Sequence, residues 1–326
     1  MGHSPSYNPW LHRFAVLTTC VALLPVTLGA LTTSEGAGMA FPDWPTSDGY
    51  NMLFYPWLQS TGDEFLEHGH RLAGMLIGLF SMGLVTLVWK YESRLWVTFA
   101  GFVVLLSVIA QGILGGLRVL ENDPRLAMVH GLFAALVFAL MAAVSLFTSR
   151  KWLSAEQKNV ERDPNSLKPW AIAAAVLILG QYALGGFLRH RGTALFEHMG
   201  MAVVVLAVVI SLVIASRKTR ELWVTRPAWG LLALTVIQIS LGLATFITKF
   251  GLKAAGWVAV AGTTLQTSIR SGHTIVGMLL LMTAIVIVLR VYRLSHVWNL
   301  QHPEQMADRP LTGSSFNRMT MEGGTP

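Results

Sequence analysis

Eight long apolar runs constrain the fold of this chain more than any other feature. They cover residues 14–33, 68–89, 95–117, 126–148, 170–188, 195–216, 228–248 and 270–292. Each holds about 20 residues, enough for a helix to cross a hydrocarbon core roughly 30 Å thick. Only 13% of the residues are charged, about half of the share usual in soluble domains. Because lipid cannot satisfy open backbone groups, we predict an all-α membrane protein with eight transmembrane helices.

The distribution of Lys and Arg predicts how the helices are oriented. Two thirds of the 24 basic residues lie at the N-terminus, in every second loop and in the C-terminal tail. The positive-inside rule therefore places residues 1–13 and 293–326 in the cytoplasm, for a protein of the inner (cell) membrane. The polar segment 149–169 is predicted to be a cytoplasmic linker between two four-helix bundles, residues 14–148 and 170–292. The tail after residue 292 is predicted to be flexible.

Charge and cysteine content exclude several classes of protein. The formal net charge of +7 reflects the positive-inside bias, and no soluble basic domain is present to bind nucleic acid. The single cysteine, Cys20, excludes an internal disulfide and a cysteine-based metal site. The first apolar run lacks an A-x-A-like cleavage site before polar sequence, so we expect an uncleaved first span.

A short pattern recurs near the outer ends of the odd-numbered runs. It reads Gln-x-x-Leu-Gly from Gln111, Gln181 and Gln238, and Pro-x-x-Leu-Gly from Pro25. His70 and His198 are separated by almost the same number of residues as Gln111 and Gln238, which favours an internal duplication. We predict two pseudo-symmetric bundles. The repeated glycine fits either close helix packing or space for a flat cofactor, and the sequence leaves both readings open.

Each even-numbered run carries a histidine near its start, at the same predicted depth on the outer side. These residues are His70, His130, His198 and His273. Placing an ionisable residue inside a membrane costs free energy, so such residues usually face the interior of the helix bundle and have a functional role. Two imidazoles from facing helices are what a six-coordinate heme iron needs as axial ligands. We therefore predict that these four histidines ligate heme iron.

Residues around the four histidines suggest further roles. Glu67 stands three residues before His70, and it fits either a solvated carboxylate at a helix start or a carboxylate that moves protons. Zinc is the weaker alternative to heme, because no cluster of three ligands surrounds these histidines. His68 is expected to face another surface, and His190 to lie in an outer loop. Candidate contacts for anionic heme propionates are Arg71, Arg118, Arg189, Arg191 and Arg270.

The first outer loop and the histidine helices carry a resemblance to a known family. The loop segment from Gly36 to Pro45 contains Pro-Asp-Trp-Pro, and the next helix contains Glu67-x-x-His70-Arg71. From about residue 25 to 292 the chain resembles the heme A synthases. These multi-pass enzymes of bacterial and mitochondrial inner membranes supply heme A for terminal oxidase assembly.

The resemblance implies an oxidoreductase that converts a methyl group of heme O to a formyl group by successive hydroxylations. His70 and His130 would bind the substrate heme O in the N-terminal bundle. His198 and His273 would hold a heme b cofactor in the C-terminal bundle, and Glu67 would be the catalytic carboxylate. A heme O synthase and an electron donor or acceptor are the implied partners in the lipid bilayer, and a homo-oligomer is compatible with the sequence.

The chain departs from the family pattern at two places. Many bacterial members have a cysteine on each side of the Pro-Asp-Trp-Pro segment, where this chain has Phe41 and Ser47. The family often has Arg after its C-terminal ligand histidines, where this chain has Met199 and Thr274. The first departure removes any disulfide role of the loop. The second weakens the expectation of propionate anchoring in the C-terminal bundle.

Two other functions are compatible with the same residues. A non-catalytic diheme b-type cytochrome in quinol-linked electron transfer would use four ligand histidines and would not need Glu67. A transporter or heme carrier predicts polar residues midway through several helices, and the runs contain few. The sequence therefore favours the heme A synthase first, the cytochrome second and the carrier last.

Overall fold

The computed structural model describes residues 6–304, and within them the chain is helical with no β-strand. Residues 1–5 and the predicted tail after residue 304 lie outside the described residues. The α-helices in this range are α1 (Pro9–Val21), α2 (Leu23–Glu35), α3 (Gly62–Tyr91), α4 (Leu95–Leu120), α5 (Pro124–Phe147), α6 (Arg150–Leu153), α7 (Lys168–Arg191), α8 (Leu195–Thr219), α9 (Leu222–Phe250) and α10 (Thr264–Gln301).

Eight helical segments of the described residues are long and apolar enough to cross a membrane. α1 and α2 together form the first, and α3, α4, α5, α7, α8, α9 and α10 form the others. Large apolar side chains along these segments face outward: Phe99, Leu106, Val176 and Val203 are each at least 60% exposed. Such a surface is stable in lipid and not in water. The prediction of a multi-pass, all-α membrane protein is confirmed.

Capping residues explain where several helices begin and end. Asp123 accepts a hydrogen bond from the Arg125 N–H and is followed by Pro124, which suits the first turn of α5. Gly36 and Gly192 take left-handed conformations that end α2 and α7. The first span breaks at Ala22, because Pro25 lacks the N–H that would continue the helix.

The helix contacts form two closed rings of four. In the first ring the α1–α2 span packs on α3, α3 on α4, α4 on α5, and α5 on α1. In the second ring α7 packs on α8, α8 on α9, α9 on α10, and α10 on α7. The rings meet where α10 packs against α5 and α2, and where α5 packs against α7. The interface has the two-fold pattern expected of a duplicated unit.

Polar groups tie the two bundles together at the histidine end of the helices. Arg189 of α7 donates to the Ala30 carbonyl of α2 at 3.1 Å and to Ser34 Oγ at 2.9 Å. Ser271 of α10 donates to the same Ala30 carbonyl at 3.2 Å. Arg189 also hydrogen-bonds Thr274, which follows His273 in α10. The backbone of α2 is therefore a shared contact of both bundles.

Two helices extend beyond their apolar runs. α7 ends at Arg191, not at residue 188, so His190 lies in its last turn and not in a loop. α10 ends at Gln301, so residues 293–301 are helical and are not part of a flexible tail. The extension buries Leu294, Val297 and Trp298 at helical spacing against the linker, where Gln301 accepts the Val160 N–H. Charged residues interrupt the apolar run there, although the helix continues.

Candidate functional site

His70 of α3 and His130 of α5 face each other in the N-terminal bundle. Their ring centres are 6.2 Å apart and the rings are nearly perpendicular, at 81°. His70 Nδ1 lies 3.0 Å from the Pro25 carbonyl. Because a carbonyl can only accept, Nδ1 carries the proton and Nε2 keeps a lone pair available to a metal. His130 Nδ1 lies 3.2 Å from the Gln111 amide nitrogen, which also donates to the His130 carbonyl at 2.9 Å.

His198 of α8 and His273 of α10 form a matching pair in the C-terminal bundle. Their ring centres are also 6.2 Å apart, with the rings at 76°. The amide nitrogens of Gln181 and Gln238 each lie 3.5 Å from the Nε2 of their histidine. The structure therefore brings the four predicted histidines together as two pairs of nearly equal geometry, one in each bundle.

The geometry of both pairs fits one iron between two axial imidazoles. Metal–nitrogen bonds of roughly 2 Å on opposite sides of one ion place the two ring centres about 6 Å apart. Among the described residues, no group of three or more His, Cys, Asp or Glu side chains could hold a metal ion. The donor set is thus two imidazoles per site, which suits an iron whose other ligands come from a porphyrin.

Buried polar atoms without a hydrogen-bond partner concentrate around the C-terminal pair. In the described part of the chain they include His198 Nδ1, His273 Nδ1, Gln181 Oε1, Gln238 Oε1 and Arg189 Nε. Around the N-terminal pair, Gln111 Oε1 is buried without a hydrogen-bond partner. Buried polar atoms are costly unless they are paired. The C-terminal site therefore depends more on a bound polar group than the N-terminal site does.

Glu67 is buried and joins α3 to the first outer loop. Its side chain is 1% exposed, and Oε1 pairs with Arg71 at 2.6 Å. Oε2 accepts the N–H groups of Ala40 at 2.7 Å and of Phe41 at 3.2 Å. Of the two interpretations of Glu67 from the sequence, the solvated carboxylate at a helix start is therefore wrong. Glu67 is a desolvated carboxylate one helical turn from His70.

Arg71 fastens the loop to α3 through several hydrogen bonds. Its guanidinium donates to the carbonyls of Asp43 at 2.9 Å and Thr46 at 2.6 Å, in addition to Glu67. It also lies over the ring of Phe41, with Cζ 5.2 Å from the ring centre. These contacts engage both terminal nitrogens of Arg71. A propionate contact at Arg71 stays a prediction.

Phe41 and Ser47 fill the two loop positions where many family members have cysteines, and both are buried against α3. Ser47 Oγ lies 3.0 Å from His68 Nδ1, and the Phe41 ring packs edge-on against Tyr55 at 5.0 Å. His68 is buried in this cluster and points away from the histidine pair. Sequence reasoning treated His68 as background, although its burial beside an aromatic-rich loop gives it a structural role. The loop is held without a covalent link.

Asp43 shapes the Pro-Asp-Trp-Pro turn. Its carboxylate accepts the N–H groups of Asp48 and Gly49, each at 2.9 Å. Burial acts to raise the pKa of Asp43, but hydrogen bonds from Thr46, Gly49 and Asp48 outweigh it and lower the pKa to about 2.

The lowered pKa of Asp43 predicts how the loop responds to acid. Because the pKa of Asp43 is lower in the folded protein than its ordinary value of 3.8, ionised Asp43 stabilises the fold at any pH above 3.8. This stabilisation is lost as the pH falls through about 2. We expect the turn to resist proteolysis at pH 4 as it does at pH 7, and Asp43→Asn to cleave faster at both. Asp63→Asn, in the first turn of α3, is the control. Equal cleavage of Asp43→Asn and the unchanged protein would contradict this role.

The remaining candidate arginines differ in their surroundings. Among the described residues none of Arg118, Arg189 and Arg270 has a carboxylate within ion-pair distance. Arg118 donates to the Gly38 carbonyl at 3.3 Å, beside the N-terminal pair. Arg270 donates to the Ser34 carbonyl at 3.4 Å. Arg191 lies with His190 at a surface cleft. Arg118, Arg189 and Arg270 thus keep positive charge available for an anionic group.

The fold and these residues define a class: a multi-pass membrane protein with one pair of facing histidines in each of two four-helix bundles. Residues 57–196 match the COX15-CtaA family model, described as cytochrome oxidase assembly protein. The match includes Glu67, His70 and His130, whereas His198 and His273 lie beyond it. Over this stretch, somewhat less than half of its length, the chain is similar to the COX15-CtaA family.

Curated relatives point in the same direction. The chain is 28% identical over 134 residues to a heme A synthase of Listeria monocytogenes serotype 4a, covering 40% of this chain and 42% of the relative. It is 28% identical over 148 residues to a heme A synthase of Bacillus cereus, covering 45% of each. The chain therefore matches less than half of the length of these curated relatives.

Proposed function

We propose that this protein is a heme A synthase, an oxidoreductase that converts a porphyrin methyl group of heme O to a formyl group. The observation that carries the proposal is the pair of similar histidine sites. Within residues 6–304, only the N-terminal site has a buried carboxylate one helical turn away. The match of residues 57–196 to cytochrome oxidase assembly proteins and the heme A synthases among the relatives support it.

In this proposal the two sites have unequal roles. His70 and His130 bind heme O. The Nδ1 atoms of this pair contact the Pro25 carbonyl and the Gln111 amide, so both rings keep a partner that orients them when the substrate leaves. His198 and His273 hold heme b, which supplies one-electron transfer when bound. Arg189, buried beside this pair with an unpartnered Nε, offers a cation for a propionate of that heme.

The residues around the substrate site have separate roles. The Pro25 carbonyl keeps the proton of His70 on Nδ1, so that Nε2 faces the bundle interior as a ligand. Arg118 has no ion-pair partner among the described residues and would bind a propionate. Glu67 is the carboxylate placed to take up a proton at the substrate site. Both of its oxygens are hydrogen-bonded, so proton uptake at Glu67 is linked to the position of the loop.

Extraction of hemes from a host that makes heme O tests the proposal. With the protein present we expect heme A to appear. Glu67→Gln keeps an oxygen that can accept the loop N–H groups but removes the charge, and we expect it to bind heme while losing most of the conversion. Glu64→Gln, in the first turn of the same helix, is the matched control. Two hemes b and no heme A would instead identify a diheme b-type cytochrome.

A further inference from the structure

The glutamine and glycine of the recurring pattern are four residues apart, so they lie on one face of their helix. In each bundle this face meets the histidine of the following span. A Cβ added to Gly115 would lie 3.0 Å from His130 Cε1, and one added to Gly185 would lie 3.2 Å from His198 Cε1. The glycine therefore makes room for the imidazole ring, which neither sequence-based reading of it had foreseen.

We propose that the Gln-x-x-Leu-Gly segments are histidine-positioning sites, in which the glycine seats the ring and the glutamine fixes its rotation. Gln111 serves His130, Gln181 serves His198 and Gln238 serves His273. This inference rests on the proposed heme binding for its consequence, but the positioning itself is a property of the protein alone.

The glycine contact is specific to one helical position. A Cβ on Gly112 in α4 or on Gly180 in α7 would meet nothing within 4 Å. At Gly29 and Gly242 the added Cβ would lie 2.8 Å and 3.2 Å from the Cε1 atoms of His70 and His273. All four histidine rings are therefore seated on a glycine of the preceding span. The adjacent glycines Gly116 and Gly186 approach Trp44 and Met128 instead, so one glycine of each pair contacts the histidine and the other serves helix packing.

The glutamine contact combines a donor with a free acceptor. The amide nitrogens of Gln111 and Gln181 each donate to the backbone carbonyl of their histidine at 2.9 Å, which holds the side chain in place. The Oε1 atoms of Gln111, Gln181 and Gln238 are buried without a partner. The amide nitrogen of each glutamine lies 3.2 Å from His130 Nδ1 or 3.5 Å from the Nε2 atoms of His198 and His273. Each glutamine therefore contacts an imidazole nitrogen of its own histidine, and a contact of this kind orients a ligand ring.

The first span achieves the same result with a different group. Pro25 stands where the other segments have glutamine, and its backbone carbonyl accepts from His70 Nδ1 at 3.0 Å. A backbone carbonyl is not removed by side-chain substitution. The His70 ring is therefore expected to keep its orientation in variants that disturb the other three histidines.

Ring nitrogen signals of ¹⁵N-histidine-labelled, heme-free protein test the positioning directly. We expect Gln181→Met, which keeps the side-chain length without the amide, to shift the signals assigned to His198 by comparison with His198→Asn. Gly185→Ala should shift the same signals, and Gly180→Ala should leave them unchanged. If Gln181→Met and Gly185→Ala leave the His198 signals in place, the inference is wrong, whatever the protein binds.

The heme-loaded protein gives the second measurement. We expect Gln181→Met to weaken heme retention in the C-terminal site by about 10- to 100-fold, the usual effect of removing a group that orients a metal ligand. Its low-spin electron paramagnetic resonance signal should shift, while Gln111→Met alters the other site. Unchanged retention and an unchanged signal in Gln181→Met would overturn the inference. Shifted nitrogen signals in a protein that binds no heme would refute the proposed function and leave the positioning intact.

Discussion

His273→Ala, purified from a host that makes heme B, is expected to lose nearly all of the tightly bound heme. The variant removes one imidazole of the C-terminal pair and leaves His198 with no partner across the 6.2 Å separation. A single axial imidazole cannot give the low-spin, six-coordinate iron expected of two. Heme content per protein and the low-spin spectrum measure the effect.

The N-terminal pair provides the contrast. His70→Ala is expected to keep the heme of the C-terminal site and to lose heme O conversion, because the two sites lie in separate bundles. His190→Ala is the matched control, since His190 lies in the last turn of α7 and belongs to neither pair. Equal heme content in His273→Ala and His190→Ala would contradict the assignment of the C-terminal ligands.

Arg71→Met is expected to destabilise the protein by roughly 3–5 kcal/mol, the usual cost of breaking a buried ion pair on one side. The side chains of Arg71 and Glu67 are 7% and 1% exposed, so the substitution leaves a buried carboxylate without its cation. It also removes the donors to Asp43 and Thr46 that hold the loop. Unfolding in detergent and protease cleavage between α2 and α3 report the two effects.

Two further variants distinguish the loss of the ion pair from nonspecific destabilisation of the fold. Arg71→Met combined with Glu67→Gln removes the uncompensated charge and should recover part of the lost stability, which a double-mutant cycle quantifies. Glu156→Gln breaks an exposed pair with Arg293 and should cost less than about 1 kcal/mol. A loss of stability in Arg71→Met no larger than in Glu156→Gln would show that the loop is held by other contacts.

The sequence predicts the parts of this protein that depend on local composition. Apolar runs of membrane-spanning length identify the helices, and the position of each histidine near a helix start places His70, His130, His198 and His273 at one end of the molecule. Pairing across helices follows from the duplication. The ends of α7 and α10 were missed because hydropathy falls at Arg189 and Arg293, whereas packing against the linker and the neighbouring bundle continues the helix.

Contacts between distant segments account for what the sequence could not predict. The pattern at Gln181 and Gly185 is visible in the sequence, but its partner His198 is identified only once α7 and α8 are packed. The Pro-Asp-Trp-Pro segment is visible in the sequence, but its attachment to Glu67 and Arg71 depends on the tertiary fold. Heme ligation itself, and the separate roles of the two pairs, stay predictions that the experiments above address.

The backbone of α2 lies between the two histidine pairs and contacts both bundles. Gly29 touches His70, and the next residue, Ala30, accepts a hydrogen bond from Arg189, which bonds Thr274 beside His273. Gly29, which contacts the His70 ring, and Ala30, which accepts the hydrogen bond from the other bundle, are therefore adjacent in the chain. The spacing of the two histidine pairs is consequently set by one continuous stretch of α2. Under the proposed function, a movement of the outer loop would leave the distance between the two hemes unchanged.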